Sequence, residues 1–344
     1  MSGVTRVLIV DDSAYVRKVV TQMLSRSADI QVVGIARDGN EALDLVEELR
    51  PDVVTCDLVM PELDGVGFVQ AQMRRRPVPI VIVSVANESG ELVLSALDSG
   101  AVDFVQKPTA LATDRLLEIA QELTDKVKAA AASRVHAPAF LDAAPLALST
   151  GVRSRGEFDI IVIGISTGGP QALKMLIPRL PANLRVPVVV VLHMPVGYTQ
   201  LYAEKLNETS AIRVREATDQ GLLEAGTVYI APAGRHLSVE QKGDTVCTRL
   251  DVRPLDTLYR PSVDVLFQSA ANVFGSRVLG LVMTGMGSDG REGAAWIKAK
   301  GGTVFTETEE SCVVYGMPRS VVEAGLSDGA FDLVHMLDAI LEHV

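Results

Sequence analysis

A chain of 344 residues exceeds what one hydrophobic core ordinarily serves, so two domains are expected. A formal net charge of −11 and a pI near 5.0 exclude a nucleic-acid binder built on basic patches. Arg74-Arg75-Arg76 is the one compact basic run and reads as a solvated helix end. The uncharged run Val186 to Ala203 is broken by Pro195 and Gly197 and would place His193 and Gln200 in lipid, so no membrane insertion is expected. The start, Met1 to Asp12, lacks a basic region followed by a sufficient apolar stretch and reads as no signal peptide. Cys56, Cys247 and Cys312 are scattered and odd in number, which suits neither a metal site nor a disulfide framework and fits a reducing cytoplasm.

Residues 1–125 alternate strand and helix patterns. Val7–Val10, Val32–Ile35, Val53–Cys56, Ile80–Val83 and Phe104–Val105 are apolar and rich in β-branched residues. Amphipathic segments such as Tyr15–Leu24, Asn40–Leu49 and Glu91–Leu97 lie between them. This alternation predicts a doubly wound parallel sheet with its ligand at the carboxyl ends of the strands. Those ends carry Asp11 and Asp12, Asp57, Ser84 and Lys107. Converging carboxylates repel unless a hard cation joins them, and oxygen ligands suit Mg²⁺. A neighbouring lysine can neutralise charge on a transferred phosphoryl group. Loop carboxylates that merely cap helices are the alternative, and four strand ends in register weigh against it.

Val10-Asp11-Asp12-Ser13, Asp57-Leu-Val-Met60-Pro61-Glu-Leu-Asp64-Gly65, Ser84 and Lys107-Pro108 resemble the receiver domain of response regulators, a flavodoxin-like fold. The resemblance implies Asp57 as phosphoacceptor. It implies Asp12 and Asp57 as Mg²⁺ ligands, with Asp11 nearby and the Val59 carbonyl contributing. Ser84 would hydrogen-bond the phosphoryl group, Lys107 would pair with it, and Phe104 occupies an aromatic switch position, or is simply a core aromatic.

Residues 126–156 begin helical and alanine-rich, then lose pattern through Ala137-Pro138, Ala144-Pro145 and Gly151, which predicts a partly flexible connector. His136 within it reads as solvated. A second β-α alternation occupies 157–344. Strand runs include Phe158–Ile163, Val186–Leu192, Val228–Ile230, Val278–Met283 and Thr303–Thr306. Helical patterns include Gly169–Leu176, Leu201–Leu206, Val265–Val273, Ala294–Lys300 and Met336–His343, and His236–Leu250 reads as a β-hairpin. This predicts a second, mostly parallel α/β domain.

Its first strand ends in Gly164-Ile-Ser166-Thr167-Gly168-Gly169, a G-x-S-x-G spacing suited to a sharp strand-to-helix turn that lifts a serine hydroxyl clear of the sheet. The helix that follows starts with unpaired N–H groups, useful for an oxyanion. The competing phosphate loop lacks G-x-G-x-x-G spacing and a Walker lysine. The second strand delivers His193, and a later one leads into Gly285-Met286-Gly287-Ser288-Asp289. Serine, histidine and carboxylate on one edge meet the needs of acyl transfer: His193 as base, Asp289 as its orienting acid, with His236 the runner-up base. Asp289 could instead cap the helix starting near Gly290. His335 and His343 read as surface residues.

Gly164-Ile-Ser166-Thr167-Gly168-Gly169-Pro170, His193-Met194-Pro195, Ala231-Pro232-Ala-Gly-Arg235-His236, Arg260-Pro261-Ser262-Val263-Asp264, Thr284-Gly285-Met286-Gly287-Ser-Asp289-Gly290 and Gly316-Met317-Pro318 resemble the chemotaxis protein-glutamate methylesterases, the CheB family. The resemblance spans both domains in order. It implies a phosphorylation-activated serine esterase that hydrolyses glutamate γ-methyl esters on chemoreceptors, releases methanol and in many members deamidates receptor glutamines. Chemotaxis histidine kinase would be the phosphodonor, and the esterase step would need no cofactor. Ser166, His193 and Asp289 are implied as the triad, with Thr167 and the Met286 N–H near the oxyanion. A non-catalytic response regulator whose second domain binds a protein partner is the alternative.

Overall fold

A computed structural model describes residues 4–84, 90–107, 113–133 and 157–344. Pro108, His136 and most of the connector lie outside the described residues. The chain divides into two compact units, Met1–Ala139 and Phe140–Val344.

The first unit runs β1 (Thr5–Val10), α1 (Ala14–Leu24), β2 (Ile30–Ala36), α2 (Gly39–Leu49), β3 (Val53–Cys56), α3 (Gly65–Arg75), β4 (Ile80–Ser84), α4 (Gly90–Asp98), β5 (Asp103–Gln106) and α5 (Thr113–Ala132). All strand pairs are parallel, in the order β2-β1-β3-β4-β5. Strands β3 and β4 are buried throughout, which is why they read as continuous apolar runs rather than alternating ones. Ser13, Asp38 and Asp64 accept from backbone N–H groups at the starts of α1, α2 and α3. Helix α5 continues through Ala132, as the alanine-rich composition after Thr124 suggests.

The second unit runs β6 (Ile160–Ile165), α6 (Gly169–Leu176), β7 (Val188–Leu192), α7 (Thr199–Glu208), β8 (Arg213–Glu216), β9 (Thr227–Ile230), β10 (His236–Lys242), β11 (Thr245–Asp251), α8 (Val263–Phe274), β12 (Val278–Val282), α9 (Arg291–Ala299), β13 (Thr303–Glu307), α10 (Met317–Glu323), β14 (Gly329–Phe331) and α11 (Leu333–His343). Seven strands form one parallel sheet ordered β14-β13-β12-β6-β7-β9-β8. Strands β10 and β11 form the separate antiparallel hairpin that the sequence suggested. On one sheet face Val162, Val189 and Val191 pack with Leu266, Phe267 and Ala270 of α8 and with Leu237 and Val239 of β10. No described helix is long and apolar enough to cross a membrane.

The topologies fix where ligands can sit. In the first sheet the order reverses between β1 and β3, and in the second between β12 and β6. A crevice opens at the carboxyl ends of strands at such a reversal, because their connections leave to opposite sides.

Candidate active site and phosphorylation site

Ser166 follows β6 at the second reversal. Its N–H bonds to the Thr284 carbonyl at 3.0 Å, which ties the serine to the loop after β12. Gly168 adopts φ +79°, and a Cβ there would sit 2.6 Å from that of Val313. Gly164 answers a different need: a Cβ would lie 2.2 Å from Val263 Cγ1, so only glycine lets the start of α8 press against β6. Ser166 is half-buried while Thr167 is buried, and the Thr167 carbonyl accepts from the Thr284 hydroxyl at 2.9 Å.

His193 follows β7, and its N–H bonds to the Ile165 carbonyl at 3.1 Å. Its Nε2 lies 2.8 Å from Asp289 Oδ2, whereas the buried Nδ1 has no hydrogen-bond partner among the described residues. No hydrogen bond joins Ser166 to His193 among the described residues. Tyr259 stacks on the imidazole, with centroids 4.2 Å apart and planes 16° apart. Sequence reasoning missed this tyrosine, although it directly precedes the quoted Arg260-Pro261-Ser262 motif.

Asp289 is held from several sides. Oδ2 also accepts from Val263 N–H at 2.8 Å, and Oδ1 accepts from the Ser262 hydroxyl at 2.9 Å and Asp264 N–H at 3.0 Å. The carboxylate therefore does cap a helix, but the helix is α8 and not the one that follows it in sequence. Asp264 returns the favour at α9, its Oδ1 accepting from Gly290 and Gly293 N–H at 2.9 and 2.7 Å. The two acids thus sit at helix N-termini, where the macrodipole favours negative charge. Burial works against ionisation of Asp289, but His193 and the N–H groups of Val263 and Asp264 outweigh it and hold its carboxyl below the usual range. Burial, with the Asp289 charge adding to it, pushes Asp264 up to about 6. Of the two carboxylates, Asp289 is thus the one that keeps its charge to lower pH.

His236 is buried with both ring nitrogens committed. Nδ1 accepts from Ser262 N–H at 3.2 Å, and Nε2 faces the Pro254 carbonyl at 3.0 Å. Burial foremost depresses its protonation. It fastens the segment before α8 and has no nitrogen left for Ser166.

Two further features surround the serine. The Met286 N–H makes no hydrogen bond among the described residues, and a Cβ on Gly285 would fall 2.7 Å from that of Ser166. Glu307, fully buried at the end of β13, accepts from Thr284 N–H at 2.8 Å and from the Ser311 hydroxyl at 2.8 Å.

In the first unit Asp11 and Asp12 follow β1 and Asp57 follows β3, so they flank its reversal point. Each offers a carboxylate oxygen, all within 4.8 Å of one another. That all-oxygen set fits a hard divalent cation. Lys107 Nζ lies 2.7 Å from Asp11 Oδ2 and 2.8 Å from Asp57 Oδ2. Burial opposes the ammonium, but these two carboxylates raise its protonation above the ordinary lysine value. Ser84 is buried at the end of β4, and its carbonyl accepts from Lys107 N–H at 2.6 Å. Val59 is 63% exposed, while Phe104 is buried on β5.

The description "CheB methylesterase" matches residues 161–340, and "response regulator receiver domain" matches residues 7–121. A Myxococcus xanthus protein named protein-glutamate methylesterase/protein-glutamine glutaminase 5 is 50% identical over 340 residues, covering 98% of each chain. A like-named Symbiobacterium thermophilum protein is 44% identical, covering 98% of this chain and 97% of its own. The crystal structure of the Thermotoga maritima CheB methylesterase catalytic domain is 42% identical with a TM-score of 0.53, covering 54% of this chain and 99% of that one.

Proposed function

We infer the function from one premise: the chain belongs to the CheB methylesterase family, with a response regulator receiver domain ahead of the methylesterase domain. It is a protein-glutamate methylesterase that also deamidates glutamine side chains. The observation that carries this is the His193–Asp289 pair at 2.8 Å with Nδ1 unpartnered, beside a serine raised on a glycine turn. Residues 157–344 carry the chemistry and 1–125 the control, joined by 126–156.

Ser166 Oγ attacks the γ-carbonyl of the methylated glutamate and passes its proton to His193 Nδ1. Asp289, kept ionised by its N–H donors, supports the imidazolium through Nε2. Thr167 and the Met286 N–H flank the tetrahedral oxygen, and fixed donors there strengthen as charge develops. Collapse returns the proton to the leaving oxygen, released as methanol, or to the leaving nitrogen of an amide, released as ammonia. Water, deprotonated by His193, then attacks the acyl-serine, and His193 returns that proton to Ser166 Oγ as the acyl bond breaks to give glutamate.

In the first unit Asp57 is the phosphoacceptor. Asp12, Asp57 and the Val59 carbonyl, with Asp11 adjacent, would hold Mg²⁺, which supplies positive charge for phosphoryl transfer. Lys107 and Ser84 meet the phosphoryl oxygens, and Phe104 reports the phosphorylated state. A chemotaxis histidine kinase is the phosphodonor, cytoplasmic chemoreceptor segments are the substrate, and the esterase step uses no cofactor. The non-catalytic alternative has no observation in its favour.

Mass spectrometry of methylated receptor peptides before and after incubation reads ester and amide loss together. A loss of about 14 Da per ester site and a gain of about 1 Da per amide site are expected, because each becomes an acid, and Ser166→Ala should abolish both. Full activity in that variant would sink the nucleophile.

A further inference from the structure

We propose that Tyr259 is a positioning residue for the reaction, holding the His193 ring in plane and favouring its charged form as the proton arrives. The proposal rests on the esterase function inferred above. Residues 252–262 link β11 to α8 as a strap, fastened largely by the segment around His236. His236 takes the Ser262 N–H at 3.2 Å and meets the Pro254 carbonyl at 3.0 Å, and the Thr257 hydroxyl lies 3.1 Å from the same ring nitrogen. The Arg260 carbonyl accepts from Gly234 N–H at 3.0 Å.

Tyr259 sits between these anchors. The strap that supplies the Ser262 hydroxyl to Asp289 therefore also lays a ring on His193, at 4.2 Å and 16°. Base and orienting acid are thereby gripped by one segment. The same ring borders the oxyanion side, since a Cβ on Gly287 would lie 3.5 Å from the Tyr259 hydroxyl. An aromatic face attracts a cation more than a neutral ring. Asp289 is the charged group bonded to the imidazole, and the stack adds to its effect only once Ser166 has delivered its proton. An interaction made in the transition state and not in the ground state changes kcat and leaves KM alone.

The test uses the full chain. Tyr259→Leu should lower kcat by roughly twofold to thirtyfold with KM unchanged, the range a cation–π contact spans. The acid limb of its kcat/KM profile should move to lower pH. Tyr259→Phe keeps the stack and should restore both. Independently of activity, the carbon-bound ring protons of His193, identified by their loss in His193→Gln, should lose an upfield ring-current shift in Tyr259→Leu and keep it in Tyr259→Phe. Wild-type kcat and profile in the leucine variant, equal losses in both variants, or no change in the ring protons overturns the proposal. If Ser166→Ala is inactive in the same assay, such a result removes Tyr259 alone. If Ser166→Ala is fully active, the esterase function falls and this proposal with it.

Discussion

Replacing Asp289 by asparagine separates the charge of the proposed orienting acid from its shape. The carboxylate satisfies His193 and Val263 N–H through Oδ2, and the Ser262 hydroxyl and Asp264 N–H through Oδ1. An amide has one acceptor end. With its oxygen at the Oδ2 position it serves His193 and Val263, and its NH₂ confronts one obligate donor, Asp264 N–H, because the Ser262 hydroxyl can rotate to accept. Flipped, it confronts both Val263 N–H and His193. The first orientation wins by one donor–donor conflict, worth about 1–3 kcal/mol. It also preserves the proton on Nε2 and leaves Nδ1 free for Ser166. What disappears is a charged acceptor for the imidazolium, an interaction of about 1.5–3 kcal/mol. The expected fall in kcat is therefore roughly 10- to 150-fold, well short of the ~10⁴-fold that follows when asparagine enforces the wrong tautomer. The remaining conflict should cost the second domain about 1–3 kcal/mol, less whatever relief Asp264 gains from losing a charged neighbour. Trp296, the chain's one tryptophan, lies on α9 and makes that unfolding visible by fluorescence. Methanol release gives kcat. Wild-type kcat would show that the charge does nothing, and a 10⁴-fold loss would refute the assigned orientation.

Two further expectations follow from buried charge. Burial raises the Glu307 carboxyl above its ordinary value despite the Thr284 and Ser311 donors, so the fold binds its proton more tightly than the unfolded chain. Stability from that proton is complete below about pH 4.3 and is lost as pH rises through the folded value. Glu307→Gln should then raise the melting temperature at pH 8 more than at pH 4, and an equal change at both would refute the sign. In the first unit Lys107→Met leaves the carboxylates of Asp11, Asp12 and Asp57 within 4.8 Å of one another without their cation. Breaking such a buried pair costs about 3–5 kcal/mol, and Mg²⁺ should recover more stability in the variant than in the wild type by calorimetry. A variant whose unfolding ignores Mg²⁺ would remove the divalent site.

How much of this was legible depends on whether the signal is local. Both α/β units show in the sequence because a buried parallel strand must be a continuous apolar run, and β3, β4, β6 and β7 are buried at every residue. Strands at the sheet margin carry no such mark. β8 is Arg-Val-Arg-Glu with a single buried side chain, and β14 is Gly-Ala-Phe, so neither appeared among the named runs. Ser166, His193, Asp289 and Asp57 could be singled out as candidates because each comes after a buried strand, where polar residues stand out. The helix that Asp289 caps was not. Sequence can suggest only the next helix in the chain, whereas the donors come from α8, more than twenty residues earlier and brought close by the missing Cβ of Gly164. His236 and Tyr259 follow the same logic. A histidine in a motif reads as a base until both nitrogens are seen occupied, and a tyrosine in a polar loop reads as surface until its ring is found on another. The roles that depend on which side chain meets which across the fold are those that the spacing of residues cannot encode, and here they fall on one strap, 252–262, that touches both His193 and Asp289.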